Sequence, residues 1–268
     1  IVVLSAMAGN TNLLLDYIKK ISNFESSDSD LVLSTGEQIS CGLMSLFINK
    51  KGVKSKAWTA WQVPIITNSK YGKARIKKIF SEKINNSFNN YDVAVVTGFQ
   101  GITEENEITT LGRGGSDTTA VAMAAAFKAK QCDIYTDVEG VFTANPSIVP
   151  SARKINYITY EEMLEMSSLG AKVLQTRSVE LAMKYNVSIQ VLSSQIDKPG
   201  TFVVNEEKKM EKEIVSGISF SKDEAKVTVT GILDKPGVSA EIFGSLAEAN
   251  INVDMILQNI SQDGKTAN

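Results

Sequence analysis

Histidine is absent from this 268-residue chain. Without an imidazole, the Ser-His and Cys-His pairs that activate a nucleophile are excluded, and a zinc enzyme is disfavoured. Any catalysis must therefore use lysine, arginine, carboxylates and backbone donors. Transfer of a phosphoryl group to an already ionised nucleophile meets this restriction, because positioning and charge neutralisation do most of the work.

Cysteine is scarce as well. Cys41 and Cys132 each lie in an Ala- or Leu-rich segment. They are expected to be small buried apolar side chains, since two such residues make neither a disulfide framework nor a metal site. No protein-bound metal site is therefore predicted.

Long apolar runs and an excess of one charge are also missing. No apolar run approaches the roughly 20 residues that a membrane span needs, and no signal or lipidation motif is found. Lys plus Arg total 28 against 30 Asp plus Glu, so the net charge is -2 and nothing indicates nucleic-acid binding. A cytoplasmic protein is expected.

What is present is an alternation of short apolar runs and helical patterns, at 43% hydrophobic and 22% charged residues. The continuous β-branched run Asp92–Thr97 is typical of a parallel sheet. Strands are predicted at Val2–Leu4, Leu31–Leu33, Val53–Trp58, Ile65–Thr67, Asp92–Thr97, Cys132–Tyr135, Val187–Leu192 and Thr201–Val204. Helices are predicted at Leu13–Ile21, Cys41–Asn49, Ala74–Phe88, Ser116–Lys130, Tyr160–Gly170 and Arg177–Tyr185. The pattern predicts an α/β fold.

The charge run Asn205–Glu213 divides the chain. It predicts a domain over residues 1–204, a linker over 205–213 and a second domain over 214–268. The second domain has a βαβ pattern, with strand Lys226–Ile232, helix Val238–Ala249 and strand Asn252–Ile256. Because the chain opens on a strand-like run and ends without a closing element, we expect it to be incomplete at both ends.

The stretch Thr109–Asp117, which reads TTLGRGGSD, is the most informative segment. Three glycines leave backbone N–H groups uncovered before a helix, Arg113 adds a cation, and Ser116 is the expected N-cap. This combination predicts an anion-binding helix start. An ordinary glycine turn remains the alternative for the segment taken alone.

Other polar residues follow predicted strands, where α/β sheets bind ligands. Ser5 and Thr11 follow the first strand, Thr136 and Asp137 follow the run CDIY, and Lys172 lies in a Gly/Ala turn. Each has a plainer interpretation, namely helix capping, an Asx-type turn or a surface lysine.

The set of motifs resembles the bacterial aspartokinases of the amino acid kinase family. The matching segments occur in family order as SAMAGNTN, STGEQIS, GFQG, TTLGRGGSD, YTDVEGVFTANP and LGAKVL. The closing segments GILDKPGVSAEIF and INVDMILQNIS resemble the first half of an ACT-type regulatory region. The resemblance covers essentially the whole chain.

This resemblance implies a three-layer αβα sandwich with a mainly parallel central sheet, followed by a truncated ferredoxin-like ACT domain. The implied reaction uses ATP and Mg²⁺ to convert L-aspartate into 4-phospho-L-aspartate, the first step toward lysine, threonine and methionine. A β-carboxylate with a pKa near 3.9 is already ionised at neutral pH, so it attacks phosphorus without a general base. A homo-oligomer that binds lysine or threonine is also implied.

Residue roles follow from the same resemblance. Arg113 is the implied partner of the aspartate α-carboxylate, Glu37 faces the ammonium, and Lys172 and Asp117 serve the phosphoryl transfer. The remaining substrate residues are Ser5, Thr11, Phe99 and Ser116; the ATP residues are Thr136, Asp137, Phe142, Ser147 and Lys172; the effector residues are Asp234, Gly237, Ser239, Asn252 and Gln258.

Three departures from the family pattern stand out. The family's N-terminal KFGGTS segment, which carries a catalytic lysine, is absent from this chain. Phe142 replaces a tyrosine, and Ser147 replaces an arginine whose loss weakens ATP binding by about 1.5–3 kcal/mol unless another cation substitutes. Asn145, Ser147 and the missing first strand keep open a non-catalytic amino-acid sensor. A glutamate 5-kinase or a nucleotide monophosphate kinase is a further alternative, disfavoured by the GEQ and GRGGSD pair with an ACT tail.

The role of Arg113 leads to a testable prediction. Arg113→Lys keeps the positive charge but loses the bidentate fork that fits a carboxylate. Steady-state kinetics should show that the KM for aspartate rises far more than the KM for ATP. Equal effects on both substrates would instead support a general anion-binding loop.

Overall fold

The computed structural model describes residues 1–21, 25–171, 173–205, 216–220, 227, 229, 232–233, 237–248 and 266–267. The chain separates into two compact units, Ile1–Phe220 and Ser221–Asn268. Most of the predicted linker lies outside the described residues, so the domain boundaries drawn from the sequence stay a prediction.

The described part of the first unit alternates strands and helices. Its strands are β1 (Val2–Leu4), β2 (Ser55–Trp58), β3 (Ile65–Thr67), β4 (Ile76–Ile79), β5 (Val93–Thr97), β6 (Gln100–Ile102), β7 (Ile108–Thr110), β8 (Cys132–Thr136), β9 (Tyr157–Thr159), β10 (Ile189–Ser193) and β11 (Thr201–Val204). Its helices are α1 (Asn10–Ile21), α2 (Ser27–Lys50), α3 (Glu82–Ser87), α4 (Gly115–Ala126), α5 (Tyr160–Ser168) and α6 (Thr176–Tyr185).

Three sheets are formed by these strands. The first has the order β1-β5-β2 and is parallel, with Leu4 paired to Thr97 and Ser55 paired to Val93. The second has the order β8-β10-β11-β9, in which only the β10–β11 pair is antiparallel. The third, β4-β3-β6-β7, contains the hairpin β6–β7. Mainly parallel pairing agrees with the predicted α/β class.

Two apolar clusters hold the unit together. The larger lies around the β8 sheet with α4, α5 and α6, and its centre includes Ile158, Met163, Val179 and Ile189, all fully buried. The smaller lies around β5 and β3, where Ile65 and Val96 are fully buried. β-Branched side chains from the strands contribute to both clusters, as the continuous apolar runs of the sequence predict.

Helix α2 corrects a prediction. Residues 27–50 form one helix, where the sequence predicted a strand at Leu31–Leu33 and a helix only from Cys41. A short apolar run cannot be assigned to strand or helix by periodicity alone. Position 36 in this helix requires glycine, because an added Cβ would come within 2.8 Å of the Ala6 Cβ.

The same helix is long and apolar enough, by length and composition alone, to cross a membrane. The sequence had led us to expect no such segment, because its apolar residues are interrupted by polar ones. In the folded unit α2 buries two carboxylates, Asp30 and Glu37, and packs against β1, β2, β5 and β7. These contacts attach one face of α2 to the sheets, while Leu43, Leu46 and Phe47 on the helix are exposed.

The predicted helix Ala74–Phe88 is also wrong. The segment forms strand β4, which pairs antiparallel with β3, and the short helix α3. Lys77 and Lys78 are exposed while Ile76 and Ile79 pack on the smaller cluster. Pairing with β3 therefore overrides the helical pattern of the sequence.

In the second unit, β12 (Ile232–Leu233) pairs antiparallel with β13 (Thr266–Ala267), and α7 spans Val238–Glu248. The helix agrees with the predicted one to within a residue. Val227 and Val229 lie outside any strand, so the predicted strand Lys226–Ile232 is described only at its end. The predicted strand Asn252–Ile256 lies outside the described residues.

Asp30 ties α2 to β7 and to the β3–β4 hairpin. Its carboxylate is 1% exposed and accepts hydrogen bonds from the Gly72 N–H (2.9 Å), the Thr110 N–H (2.6 Å) and the Thr110 hydroxyl (2.8 Å). Burial raises the pKa of Asp30, and these hydrogen bonds oppose that rise. The carboxylate is thus a structural acceptor for three donors.

Asp30→Ala should leave those donors unpaired in the interior. We expect the free energy of unfolding, measured by urea denaturation, to fall by roughly 3 kcal/mol. Asp28→Ala is the matched control, because Asp28 is an exposed aspartate in the first turn of the same helix. Equal effects of the two substitutions would contradict the structural role of Asp30.

Candidate active site

The glycine-rich motif turns from β7 into α4. Gly112 and Gly114 have left-handed backbones, with φ of 76° and 67°. Gly114 is the N-cap of α4, and a side chain there would collide with Gln175. The prediction that Ser116 caps the helix is therefore wrong, because the turn into the helix needs a left-handed residue two positions earlier.

Arg113 stands between these two glycines and is exposed. Within the described part of the chain, its guanidinium has no hydrogen-bond or ion-pair partner. The helix start behind it adds the positive end of the α4 dipole. An anion at this position would meet a free cation and a favourable helix terminus together.

Phe99 and Ser116 come together at the carboxyl end of β5, and Ser5 directly follows the neighbouring end of β1. A Cβ added at Gly98 would lie 2.8 Å from the Ser116 Oγ and 2.9 Å from the Leu4 carbonyl oxygen, so α4 packs directly on these strand ends. Phe99 has a left-handed φ of 66°, which is uncommon for a non-glycine residue. Its N–H donates to the Thr119 hydroxyl at 3.2 Å, which holds this conformation.

Glu37 reaches the same strand ends from the middle of α2. Its side chain is 3% exposed, and its Oε1 accepts from the Ala6 N–H at 3.0 Å. Among the described residues, Oε2 has no hydrogen-bond partner. Burial raises the pKa of Glu37 to about 7. A buried carboxylate with one unsatisfied oxygen is suited to a cationic ligand.

Asp117 is the second carboxylate whose pKa is raised, to about 6, and burial is the cause. It lies in the first turn of α4, and its charge helps to raise the pKa of Cys132 on β8, after the larger effect of burial. No described residue hydrogen-bonds to or pairs with Asp117. This carboxylate therefore lies between α4 and β8 and is available to a cation.

The predicted ATP residues lie on the segment that follows β8. Thr136 ends the strand and donates from its hydroxyl to Asp137 at 3.0 Å. The backbones of Phe142 and Lys154 form an isolated antiparallel β-bridge. The exposed Ser147 donates its N–H to the Asn145 side chain at 2.9 Å. The Ile218 N–H donates to the Thr143 carbonyl at 2.8 Å, so residues 216–220 pack on this segment.

The remaining predicted site residues are placed as follows. Thr11 lies half-buried in the first turn of α1, close in sequence to Ser5. Gly237 precedes α7 with a left-handed φ of 99°, and Ser239 belongs to that helix. Four predicted residues lie outside the described residues: Lys172, Asp234, Asn252 and Gln258.

Sequence reasoning missed two residues that hold the glycine-rich loop, Asp30 and Arg177. Arg177, in the first turn of α6, donates to the Leu111 carbonyl at 2.8 Å and to the Ala74 carbonyl at 2.7 Å. An acid before an apolar run was a usable signal for Asp30. Nothing in the sequence links Arg177 to a loop 66 positions away.

The fold and this cluster define an α/β domain with charged side chains at the carboxyl ends of its strands, the edge where α/β sheets bind ligands. The chain belongs to the amino acid kinase family, whose sequence profile matches residues 1–193. A profile of the ACT domain matches residues 227–263. The resemblance inferred from the motifs is thereby confirmed, together with the predicted fold class.

Curated relatives agree with both matches. The chain is 52% identical to the aspartate kinase of Pseudomonas putida over 268 residues, which cover 99% of this chain and 65% of the relative. It is 49% identical to the aspartokinase of Geobacillus stearothermophilus, covering 97% of this chain and 64% of that relative. The chain thus spans just under two thirds of the length of the curated relatives it matches.

Solved structures show the same fold. Aspartokinase III of E. coli in complex with aspartate and ADP matches with a TM-score of 0.70 and 26% identity, over 96% of this chain and 57% of that one. The same enzyme in complex with lysine and aspartate matches with a TM-score of 0.74 and 26% identity, over 99% of this chain and 70% of that one. Aspartate kinase from Synechocystis matches with a TM-score of 0.66 and 38% identity, over 99% of this chain and 45% of that one.

The raised pKa of Glu37 predicts that this residue lowers stability at neutral pH. Because the pKa is about 7 in the folded chain and 4.5 ordinarily, ionisation costs the folded state free energy above pH 7 and nothing below pH 4.5. Glu37→Gln should therefore raise the free energy of unfolding by roughly 1–3 kcal/mol at pH 8. Urea denaturation at pH 8 and pH 4.5 measures this gain, which should disappear at the lower pH.

The exposed Glu82→Gln serves as the control and should show no such pH-dependent gain. A gain for Glu37→Gln that is equal at both pH values would show that ionisation of Glu37 is not its cause.

Proposed function

We propose that the protein carrying this chain is an aspartate kinase that transfers the γ-phosphate of ATP to the β-carboxylate of L-aspartate. The product is 4-phospho-L-aspartate, the first intermediate toward lysine, threonine and methionine. The observation that carries the proposal is the presence near the strand ends of two ionisable groups of opposite sign, each with partner-free polar atoms among the described residues: the buried Glu37 and the exposed Arg113. The relatives named above are called aspartate kinases.

An α-amino acid carries the two charges that these side chains lack. Its ammonium would donate to the free Oε2 of Glu37, which favours the carboxylate form and draws the pKa of Glu37 down from about 7. Its α-carboxylate would receive the fork of Arg113. Ser5, Thr11, Phe99 and Ser116 complete the proposed substrate pocket. The β-carboxylate is then left free to face ATP.

The phosphoryl transfer itself needs cations more than acids or bases. Lys172 is the proposed cation on the transferring group, and Thr136, Asp137, Phe142 and Ser147 are the proposed nucleotide contacts.

Magnesium would neutralise charge on the β- and γ-phosphates. Among the described residues there is no group of three or more metal-ligating side chains. Magnesium in kinase sites is commonly held by substrate phosphates and one or two carboxylates. Asp117, which lacks a cationic partner among the described residues, is the proposed carboxylate.

Regulation is proposed to act through the ACT region. E. coli aspartokinase III was solved in complex with lysine, and this chain carries an ACT match at 227–263. We assign residues 1–204 to the kinase domain, 205–213 to the linker and 214–268 to the ACT domain, with effector contacts at Asp234, Gly237, Ser239, Asn252 and Gln258. A cytoplasmic homo-oligomer that binds lysine or threonine is part of the proposal.

Hydroxamate formation tests the activity. Full-length protein incubated with ATP, Mg²⁺, aspartate and hydroxylamine should yield aspartyl hydroxamate, and Glu37→Gln should abolish saturation by aspartate. Because Glu37 must be ionised to bind an ammonium, the KM for aspartate should rise about tenfold for each pH unit below about pH 7. Product from another acceptor but none from aspartate would refute the proposal.

The sensor alternative rests on Asn145 and Ser147, in the loop that reads ANPS where the family has ADPR, and on the first strand of the family pattern, which this sequence does not show. Calorimetry with a non-hydrolysable ATP analogue separates the two functions. Magnesium-dependent binding of the analogue supports the kinase, and its absence alongside amino-acid binding supports the sensor.

A further inference from the structure

The segment between β7 and Arg113 is held from several sides. Thr110 uses every polar group it has: its N–H and hydroxyl donate to Asp30, and its carbonyl accepts from the Ala74 N–H at 2.8 Å. The hairpin that supplies Ala74 is itself fixed to Asp30 through the Gly72 N–H. Thr110 is therefore attached to two other parts of the unit.

Leu111 is held in a similar way. Its side chain is 2% exposed, and its N–H donates to the Phe99 carbonyl at 2.8 Å. Its carbonyl accepts from Arg177, whose second guanidinium nitrogen donates to Ala74 at 2.7 Å. One side chain thus joins the loop to the β3–β4 hairpin across two carbonyl oxygens.

Arg113 lies two residues further along, and among the described residues its guanidinium has no hydrogen-bond or ion-pair partner. The residues on both sides of it, Gly112 and Gly114, have the widest backbone freedom of any residue type. The direction in which Arg113 projects therefore depends on how firmly Leu111 and Gly112 are held. Gly112 has little room, since an added Cβ would lie 2.9 Å from the Gly72 carbonyl oxygen.

We propose that Arg177 is a positioning residue for substrate binding, which fixes Arg113 by clamping the Leu111 and Ala74 carbonyls together. A planar guanidinium with several donors can hold two acceptors at once, whereas an ammonium is a single point charge. Arg177 does not contact the substrate itself. The part of this inference that concerns aspartate rests on the proposed function, whereas the part that concerns the loop does not.

Limited proteolysis tests the loop without any catalysis. The Arg113–Gly114 bond is a trypsin site whose arginine is exposed, while Leu111 and Gly115 on either side are buried. In Arg177→Met, which keeps the apolar stem and removes the donors, cleavage at this bond under native conditions should be about tenfold faster, because local opening is easier. Mass spectrometry of the fragment that begins at Gly114 measures this rate.

Asn49→Leu provides a matched control. The Asn49 amide also donates to two backbone carbonyls, those of Ser45 at 2.8 Å and Ser55 at 2.9 Å. Ser55 begins β2, so this clamp lies at the amino end of the strand, opposite to the candidate site. Asn49→Leu should leave cleavage after Arg113 unchanged. Equal acceleration in both variants would show that Arg177 only stabilises the fold.

Kinetics then test the link to substrate. Arg177→Met should raise the KM for aspartate about tenfold and leave the KM for ATP within about twofold, because a misplaced binding group mainly affects its own ligand. Arg177→Lys should recover part of the loss. A double variant then tests whether the two arginines act together. When Arg177→Met is added to Arg113→Met, the kcat/KM for aspartate, read from initial rates, should not decrease further. Independent, additive effects would overturn the positioning role.

The two proposals fail in different ways. A wild-type protein that does not phosphorylate aspartate refutes the proposed function and leaves the proteolysis result valid. An active wild type in which Arg177→Met changes neither the cleavage rate nor the KM for aspartate refutes the positioning role alone.

Discussion

Two buried carboxylates on one helix face set the geometry of the candidate site. Asp30 and Glu37 are seven residues apart on α2, so both point to the same side of the helix. Asp30 accepts hydrogen bonds from β7 and the β3–β4 hairpin, and Glu37 accepts one from the segment after β1. Burying carboxylates is costly unless donors meet them, so these two residues determine where three separate segments lie.

The two carboxylates differ in how fully they are satisfied. Asp30 meets three donor groups and serves the fold, whereas Glu37 keeps one oxygen without a partner among the described residues. The pKa of Glu37 is raised to about 7 because burial favours the neutral acid and few donors offset that effect. Stability and ligand binding therefore oppose each other at Glu37. A site that binds a cationic group commonly carries such a local instability.

Part of this arrangement was predictable. The glycines of TTLGRGGSD predicted a loop before a helix, and the apolar run DVAVVT predicted a buried parallel strand; both are present. The predictions failed in segments whose apolar pattern does not distinguish a strand from a helix. LVLSTGEQ lies within a helix because α2 packs against β1, and IKKI is a strand because β3 pairs with it. Residues such as Arg177 could not be found, because their partners are far away in the sequence.

The sequence by itself determined the chemistry that is available: no imidazole, an arginine among glycines, and long motifs in an order that indicates the amino acid kinase family. Those properties depend on residue identity and local spacing, which a sequence states directly. Only the tertiary structure decided which carboxylate is saturated, which residue caps α4 and what holds the loop before Arg113. Those outcomes depend on burial and on hydrogen bonds between distant segments, and neither is encoded in local periodicity.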